Sequence, residues 1–238
     1  MTLTGKTAVV TGGSRGIGRA IVRRLARDGA RVVFSFREDE TAAGALAQET
    51  GAVAVRADQA NLSNLDALFE PVGDGLDILV NNAAINPPAL IRDITPELFG
   101  HVMTVNAEFP LLAMQRAEPL LREGGRIISI STLNTALPAP GLALYCASKA
   151  ALEQFSKVAA RELGARGITV NTVSPGATDT DLLRAANPPG ALERTAAFTA
   201  LGRLGAPADI ADVVAFLAGP EAGWITGQNI QATGGYIL

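Results

Sequence analysis

The sequence predicts a Rossmann-type α/β fold, a doubly wound parallel sheet between two layers of helices, as a three-layer α/β/α single domain. Three observations predict it. Short apolar runs alternate with helix-like stretches along the chain, and a glycine-rich turn joins the first run to the first helix. The length of 238 residues suits one large domain, and no repeat, low-complexity tract or linker divides residues 1–238.

The predicted elements follow one another in a regular order. An apolar run at 6–11 is typical of a buried strand, and the stretch 16–28 has apolar side chains on one face and stops at Gly29, as a helix does. Further strands are predicted at 31–36, 52–57, 76–80, 126–131, 168–173 and 228–231. Further helices are predicted at about 96–121, 144–163 and 207–217. Because strands alternate with helices, the strands are expected to pair in parallel through right-handed crossovers.

The segment 178–201 breaks this rhythm, since it contains Pro188, Pro189 and Gly190. In doubly wound sheets, ligands bind outside the carboxyl ends of the strands. The segment follows the strand at 168–173 and therefore lies at that edge, so we interpret it as a flexible substrate lid. Its apolar side chains predict one wall of an apolar pocket, and they are Leu182, Leu183, Ala185, Ala186, Leu192 and Phe198.

Composition argues against several other classes of protein. Charged residues make up 18%, and the net charge of -3 comes without a basic block, so nucleic acid is not an expected partner. No apolar run approaches the ~20 residues of a membrane span, and the start of the chain lacks the pattern of a signal peptide. Together with a single cysteine, Cys146, these features predict a cytoplasmic protein. One histidine, His101, without a cysteine cluster predicts no metal site.

The residues TGGSRGIG at 11–18 follow the first predicted strand. Gly12, Gly16 and Gly18 give the spacing G-x-x-x-G-x-G, which differs from the G-x-G-x-x-G of the commoner dinucleotide fingerprint. A turn without Cβ atoms lets the backbone approach a pyrophosphate, which then meets the N-terminus of a helix. The alternative is an ordinary strand-to-helix turn, which the strand before it and the amphipathic helix after it disfavour. We therefore expect a dinucleotide cofactor.

The charge after the second predicted strand indicates which dinucleotide binds. A fold of this type that prefers NAD usually places an acidic residue there, on the ribose hydroxyl. Here the strand ends at Phe36, Arg37 follows, and Arg15 lies inside the glycine-rich turn. Two guanidinium groups could hold a 2′-phosphate, which favours NADP over NAD. The alternative is that both arginines are solvated and that the protein is an NAD-dependent alcohol or sugar dehydrogenase.

Tyr145 and Lys149 are four residues apart in a predicted helix and therefore share one face. A nearby ammonium group favours the phenolate, as does the positive ring of an oxidised nicotinamide, so the pKa of Tyr145 is expected to lie below its ordinary value of about 10. Such a tyrosine is suited to proton exchange at working pH. The chain has only two tyrosines and three lysines, so chance placement on an amphipathic helix is the weaker interpretation.

With these motifs the sequence resembles the short-chain dehydrogenase/reductase family over nearly its whole length, and most of all the bacterial 3-oxoacyl-acyl-carrier-protein reductases. The shared motifs stand in the family's order, and they are TGGSRGIG at 11–18, Asp58, NNAA at 81–84, Asn106, Tyr145-x-x-x-Lys149, PG at 175–176 and the ending LGRLGAPADIADVVAFL…ITGQNI. The resemblance implies hydride transfer between a nicotinamide cofactor and a carbonyl or alcohol carbon. It also implies a homotetramer, assembled mainly through the segments 96–121 and 144–163 and the C-terminal segment.

The resemblance also assigns cofactor contacts residue by residue. The implied phosphate contacts are Gly12, Ser14, Arg15 and Ile17, and the implied adenine contact is Asp58 with Gln59 beside it. The implied contacts to the rest of the cofactor are Asn82, Ala83, Ala84, Tyr145, Lys149, Pro175, Gly176, Thr178 and Thr180. Ala84 stands where the family has glycine, and its methyl group is expected to narrow the space beside the cofactor.

The resemblance further implies that Lys149 binds the nicotinamide ribose and that Asn106 holds a water linking Lys149 to solvent. The family's substrate-orienting serine lies thirteen residues before the tyrosine, where this chain has Thr132. Threonine offers the same hydroxyl group, although its methyl group restricts the rotamer. Successive strand residues point to opposite faces, so we expect Thr132 to polarise the carbonyl and Ser131 to point away unless the strand has already ended.

These observations predict an NADP-dependent oxidoreductase that reduces a carbonyl group, of a 3-oxoacyl thioester or another ketone, to an alcohol. Tyr145 is expected to supply the proton, Thr132 to position the oxygen, and Lys149 and Asn106 to support the proton relay. A non-catalytic nucleotide-sensing protein on the same fold is the second alternative, because Thr132 departs from the family pattern. The expected partners are a small-molecule substrate and further copies of the chain.

Overall fold

The computed structural model describes residues 2–73, 75–185 and 190–236. Within these residues, seven parallel strands form one sheet in the order β3-β2-β1-β4-β5-β6-β7. The strands are β1 Thr7–Val10, β2 Arg31–Phe36, β3 Val53–Arg56, β4 Leu76–Asn81, β5 Leu121–Ile130, β6 Thr169–Pro175 and β7 Asn229–Ala232. The strand order reverses at β1 and β4, which is where doubly wound sheets open a crevice for ligands.

Helices cover both faces of this sheet. They are α1 Gly16–Arg27, α2 Glu40–Thr50, α3 Asn64–Phe69, α4 Pro96–Met103, α5 Phe109–Ala117, α6 Ala143–Leu163, α7 Asp181–Ala185, α8 Ala191–Ala197 and α9 Pro207–Ala218. The helices α1, α2 and α9 pack on one face, and α3, α5 and α6 pack on the other. The predicted three-layer doubly wound fold is therefore confirmed.

The apolar core explains why the strands read as continuous apolar runs. In β1, Ala8 and Val10 pack towards α1, α2 and α9, whereas Val9 packs towards α3, α5 and α6. A strand that is covered on both faces has no solvent side, so polar residues do not alternate with apolar ones. Each fully buried aliphatic side chain of this kind contributes roughly 1.5–3 kcal/mol to the fold.

Four helices were not predicted from the sequence: α7 and α8 lie in the segment interpreted as a lid, and α2 and α3 lie between the first strands. The helix α2 buries only Ala43 and Leu46, so its amphipathic pattern is weak, and it begins where the Asp39 side chain accepts a hydrogen bond from the backbone of Ala42 at 2.8 Å. The helix α3 has six residues, which is shorter than the window in which helical periodicity can be recognised.

The predicted single helix over 96–121 is wrong in one respect. It is divided into α4 and α5 by a π-helical turn, Thr104–Glu108, and it ends in a 3₁₀ turn before β5. A π turn contains one more residue per turn than an α-helix and is often found at functional sites. Asn106 lies in the middle of this turn.

The predicted lid at 178–201 contains α7 and α8, and Ala186, Pro188 and Pro189 lie outside the described residues. Beyond α8, Thr199 pairs with Tyr236 as an isolated antiparallel bridge, and the rings of Phe198 and Tyr236 meet edge to face with their centroids 6.2 Å apart. The end of this segment is thus attached to the C-terminal part of the chain, and its role as a lid stays a prediction. In the described part of the chain, no helix is long and apolar enough to span a membrane.

The parallel strands bring the predicted site residues to one edge of the sheet. All the strands end at this edge, and the residues that follow them are Gly12 after β1, Arg37 after β2, Asp58 after β3, Asn82 after β4, Thr132 after β5 and Gly176 after β6. The fold therefore collects motifs that are far apart in the sequence.

Candidate active site

The glycine-rich turn between β1 and α1 is shaped by its lack of side chains. Gly12 and Gly16 have φ angles of +67° and +53°, in the left-handed region that favours glycine. The Gly12 amide donates to the Ser35 hydroxyl at 2.9 Å, and the Gly13 amide donates to the Ser35 carbonyl at 2.8 Å. Ser35, at the end of β2, thus holds the turn, although the sequence did not identify it.

Gly18 cannot carry a side chain in this arrangement. A Cβ atom there would lie 2.1 Å from the Gly12 carbonyl oxygen and 2.5 Å from the Asn82 amide nitrogen. We expect Gly18→Ala to lower the free energy of unfolding by about 1–3 kcal/mol, because the backbone of the turn has to move. Urea denaturation measures this change.

Gly44→Ala is the matched control for Gly18→Ala. Gly44 lies inside α2, and a Cβ atom there would meet no other atom within 4 Å. Alanine is the better helix former, so this variant is expected to gain about 0.5–1 kcal/mol. Wild-type stability of Gly18→Ala would contradict the close packing of the turn.

The N-terminus of α1 fits a bound phosphate group. Arg15 stands at the N-cap without a capping side-chain hydrogen bond, and the first turn has no acidic residue. The free amide groups and the positive end of the helix dipole therefore attract an anion. Of the predicted phosphate contacts, Ser14 is buried, Ile17 is partly buried and the Arg15 side chain is exposed.

A clamp joins the carboxyl ends of β1 and β4. The Thr11 hydroxyl accepts hydrogen bonds from the amides of Asn82 at 2.9 Å and Ala83 at 3.0 Å. In return, the Asn82 side chain donates to the carbonyl groups of Thr11 at 2.8 Å and Gly12 at 3.2 Å. The clamp fixes the glycine-rich turn against the segment that carries Ala83 and Ala84, which are both partly buried.

Two arginines and two predicted adenine contacts lie at or just after the ends of β2 and β3. Arg37 is exposed and pairs with Glu38 at 2.9 Å, and Arg56, which the sequence analysis missed, donates from Nε to the Arg37 carbonyl at 3.3 Å. The Asp58 carboxylate accepts a hydrogen bond from the backbone of the loop that follows it. Gln59 is buried, with its amide oriented so that the nitrogen donates to two backbone carbonyl groups near β4.

The loop after β6 reaches the glycine-rich turn. A Cβ atom on Gly176 would lie 2.9 Å from the backbone of Thr233, so Pro175 and Gly176 run closely past the segment after β7. The Thr178 hydroxyl donates to the Gly176 carbonyl at 3.1 Å. The Thr180 side chain accepts from the backbone at the start of α7 and lies within 3.5 Å of the Cβ position of Gly16.

The structure brings Thr132, Tyr145 and Lys149 together at the end of β5. Thr132 lies beside Tyr145, and its hydroxyl group acts to lower the pKa of the phenol. Lys149 is only 1% exposed, and its Nζ atom donates to the Ile130 carbonyl at 2.7 Å. Because β5 ends at Ile130, Ser131 is already outside the strand, and its hydroxyl group donates to Glu153 at 2.5 Å instead of facing Tyr145.

Burial controls the acid–base properties of this cluster. Burial raises the pKa of Tyr145, and the hydrogen bond with Thr132 opposes this effect. Burial also lowers the pKa of Lys149, to about 8, while the negative charge of Glu153 opposes it. The expected lowering of the Tyr145 pKa by Lys149 is not met in this structure, because the lysine amine is directed to the Ile130 carbonyl and desolvation of the phenol dominates.

Asn106 is fully buried and connects the π turn to two other segments. Its side chain accepts from the Ile85 amide at 2.9 Å and donates to the Ile85 carbonyl at 2.8 Å. It also donates to the Ser148 hydroxyl on α6 at 3.1 Å. The side chain therefore fixes the loop after β4 beside Tyr145 and Lys149, and the water that it is predicted to hold stays a prediction.

Two side chains on the far side of Lys149 were not identified from the sequence. Ser148 links α6 to Asn106, and Glu153 accepts hydrogen bonds from the hydroxyl groups of Ser131 and Thr135. The signal for Glu153 was the helical spacing of Tyr145, Lys149 and Glu153, which recurs every four residues on one face of α6. The described residues contain no group of three or more His, Cys, Asp or Glu side chains that could hold a metal ion.

Residues 12–237 match a family model described as enoyl-(acyl carrier protein) reductase. The chain is 43% identical over 238 residues to the cyclic-di-GMP-binding biofilm dispersal mediator protein of Escherichia coli (strain K12), with 98% of each chain covered. It is 38% identical over 248 residues to the 3-oxoacyl-acyl-carrier-protein reductase FabG of Vibrio cholerae serotype O1, with 100% of each chain covered.

A solved structure agrees with these relatives. The crystal structure of the angucycline C-6 ketoreductase LanV with bound NADP matches with a TM-score of 0.91 at 41% identity, covering 99% of this chain and 97% of that chain. The resemblance that the sequence motifs indicated is thereby confirmed. The chain belongs to the short-chain dehydrogenase/reductase family of oxidoreductases.

Proposed function

We propose that this protein is an NADP-dependent reductase that converts a ketone to an alcohol. The observation that carries the proposal is that Thr132, Tyr145 and a buried Lys149 lie together at the sheet edge where the glycine-rich turn also lies. A hydroxyl pair beside a buried amine is an arrangement for moving a proton to or from a substrate oxygen. The 3-oxoacyl reductase and ketoreductase names of two similar proteins support it.

The phosphate-binding features favour NADP as the cofactor. The uncapped N-terminus of α1 is suited to a pyrophosphate. Arg15 has no ion-pair partner among the described residues, and Arg37 follows β2 without an acidic residue at the strand end. A 2′-phosphate placed between these guanidinium groups would receive charge-assisted hydrogen bonds. The bound NADP of the LanV structure supports the same choice.

We expect Arg37→Ala to raise the Kd for NADPH about tenfold or more and to leave the Kd for NADH unchanged. A hydrogen bond to a charged group contributes about 1.5–3 kcal/mol, and only NADPH carries the 2′-phosphate. Quenching or enhancement of nicotinamide fluorescence on titration measures both constants.

Arg27→Ala is the control for Arg37→Ala. Arg27 is an exposed arginine at the end of α1, far along the helix from the glycine-rich turn, and its removal is expected to change neither constant. An equal rise in the Kd for NADH and for NADPH would contradict the phosphate assignment and would favour the NAD-dependent alternative.

The catalytic side chains have separate tasks in the proposed reaction. When bound, the reduced nicotinamide supplies the hydride. Tyr145 donates its phenolic proton to the carbonyl oxygen as that oxygen becomes an alkoxide. Lys149, one turn further along α6, is proposed to turn its amine from the Ile130 carbonyl towards the phenolate that remains and to stabilise it. Asn106 keeps the loop after β4 in place beside them.

Thr132 is proposed to orient the substrate oxygen. Its hydroxyl group is buried beside Tyr145, donates to the Asn134 side-chain oxygen at 3.1 Å and accepts from the Asn134 backbone amide at 3.2 Å. Because a hydroxyl has one proton, Thr132 donates to the substrate oxygen by turning that proton away from Asn134. Ser131 does not compete for this role, because Glu153 holds its hydroxyl group.

The walls of a nearby cavity indicate an apolar substrate. A cavity of about 500 Å³ opens beside the start of α6, and Cys146, the neighbour of Tyr145, lines it. The rest of the wall is mostly aliphatic and comes from residues 90–91, 138–141 and 143, and Arg92 is its one cation among the described residues. Leu182 and Phe198 are exposed apolar side chains on the predicted lid. These walls suit an acyl chain or a fused-ring ketone better than a sugar.

The proposal is tested by loss of NADPH absorbance with a panel of carbonyl compounds. The panel contains a 3-oxoacyl thioester, a diketone, a ketosteroid and a keto-sugar, with Tyr145→Phe as the blank. Turnover of the apolar ketones that the blank lacks is the expected result. NADPH binding without turnover of any compound would overturn the proposal and favour a nucleotide-binding protein, as the name of the Escherichia coli relative indicates for that protein.

We also propose that the chain associates with copies of itself. Large apolar side chains are exposed on the segments where the resemblance implies subunit contacts, and they are Phe99, Leu111, Val158, Phe216 and Trp224. Trp224 is 99% exposed, which is unusual for the largest apolar side chain. The molar mass from light scattering decides whether a dimer or tetramer forms.

A further inference from the structure

We propose that Glu153 is a positioning residue of this active site: its carboxylate holds the segment that carries Thr132 and keeps the amine of Lys149 charged. The inference rests on the proposed function, since it assigns a task in the same reaction. Glu153 itself touches neither Tyr145 nor the expected place of the substrate, and it acts through two neighbouring groups.

The helix α6 binds the end of β5 at three successive turns. Tyr145 lies beside Thr132, Lys149 donates to the Ile130 carbonyl at 2.7 Å, and Glu153 lies one further turn along the same face. Residues four apart on a helix lie above one another, so the three side chains form one continuous stripe. This stripe faces the segment 130–135, which leaves the sheet at the active site.

Glu153 supplies the strongest side-chain contacts of that stripe. One of its oxygens, Oε1, accepts from the Ser131 hydroxyl at 2.5 Å and from the Thr135 hydroxyl at 2.8 Å. The Thr135 hydroxyl also lies 3.1 Å from the Thr132 carbonyl oxygen. Thr132 is therefore bracketed by two hydroxyl groups that share one carboxylate, and hydrogen bonds to a charged acceptor are roughly twice as strong as neutral ones.

The charge of Glu153 acts on a lysine that has few other partners. Burial lowers the pKa of Lys149 to about 8, and Glu153 is the charged group that opposes this effect. Among the described residues, the hydrogen-bond partner of the Lys149 amine is the uncharged Ile130 carbonyl, and Tyr145, one turn back on the same helix face, is uncharged at neutral pH. A carboxylate one turn away thus keeps the amine protonated near neutral pH.

Titration of Lys149 tests the charge part of the proposal without any reaction. The chain has three lysines, Lys6, Lys149 and Lys157, so the Nζ resonances of ¹⁵N-lysine-labelled protein can be followed separately. In Glu153→Gln, which keeps the shape of the side chain, the pKa of Lys149 is expected to fall below the value of about 8 in the wild type. An unchanged Lys149 titration in folded Glu153→Gln would overturn this part.

The rate of ketone reduction against pH tests the consequence for catalysis. Activity requires charged Lys149 and is lost above its pKa, so Glu153→Gln is expected to move the alkaline limb of kcat to lower pH. For each pH unit by which the pKa of Lys149 falls, the charged fraction of Lys149 at a pH above that pKa falls about tenfold. Glu153→Asp keeps the charge and should restore the position of the limb. Glu162→Gln, on an exposed part of the same helix, is the control and should match the wild type.

Removal of the two hydroxyl groups that donate to Glu153 distinguishes its positioning of the 130–135 segment from the effect of its charge on Lys149. The double variant Ser131→Ala, Thr135→Val removes both donors and leaves the Glu153 charge, so it is expected to lower kcat at every pH without moving the alkaline limb. An unchanged kcat in this variant would overturn the positioning part. If the wild type reduces no ketone, the proposed function fails, and the Lys149 titration still decides whether Glu153 controls the charge of that amine.

Discussion

Tyr145→Phe is expected to lower kcat for ketone reduction by about 10²–10⁴-fold, the range that positioned acid–base groups contribute. The substitution removes one oxygen atom from a partly buried ring and leaves its packing in place. The group that is lost is the one that interacts with the Thr132 hydroxyl and would protonate the substrate oxygen. Steady-state NADPH oxidation measures kcat, and fluorescence titration shows whether the cofactor still binds.

Tyr236→Phe is the matched control, because Tyr236 is the one other tyrosine of the chain. Its ring packs edge to face on Phe198 beside the predicted lid, and no described contact of its hydroxyl group reaches Thr132. We expect kcat near the wild-type value for this variant. Retention of full activity in Tyr145→Phe would show that the proton comes from another group and would remove the basis of the proposed mechanism.

Lys149→Met is expected to abolish activity and at the same time to raise the free energy of unfolding at neutral pH. The amine is buried, and its pKa is lowered from 10.5 to about 8. That difference corresponds to a penalty of about 3 kcal/mol for keeping the charged form in the folded protein. The lost hydrogen bond to the Ile130 carbonyl costs about 1 kcal/mol, so we expect a net gain of about 2 kcal/mol below pH 8.

The pH dependence of this gain has a definite sign. Because the folded-state pKa of Lys149 lies below the unfolded-state value, the penalty is fully present below about pH 8 and disappears as the pH rises towards 10.5. The stability difference between Lys149→Met and the wild type should therefore shrink over this window in urea titrations. Lys157→Met, at an exposed position of the same helix, should change stability by less than about 0.5 kcal/mol. A less stable Lys149→Met protein at pH 7 would contradict the desolvation argument.

The fold could be predicted from the sequence because its strands are covered on both faces. Runs such as Thr7–Val10 and Arg31–Phe36 are apolar almost throughout, and this pattern with intervening helices leaves few other arrangements. The helix α2 could not be predicted because it buries only two side chains, so its pattern of apolar residues is nearly that of a solvated segment. The π turn could not be predicted because the apolar periodicity of a helical stretch does not show where one extra residue is accommodated.

Part of the active site could also be predicted, because a spacing of four residues defines a helix face. That spacing placed Tyr145 and Lys149 together, and the parallel sheet brought Thr132 to them. Burial could not be predicted, although it reverses the expected direction of the Tyr145 pKa and sets that of Lys149. The roles of Ser35 and Thr11 could not be predicted, because their hydrogen bonds join residues on different strands that are close only in the folded sheet.

The π turn at Thr104–Glu108 accommodates one more residue than a turn of α-helix would, and it leaves the direction in which α5 faces unchanged. Loss of one residue there would convert the turn to ordinary α-helix, and Phe109 and Ala113 would still face the core. The widened turn from which Asn106 reaches the Ile85 backbone would be lost. A homologue with a one-residue gap between residues 104 and 108 should therefore keep the packing of α4 and α5 and lose the position of the Asn106 amide.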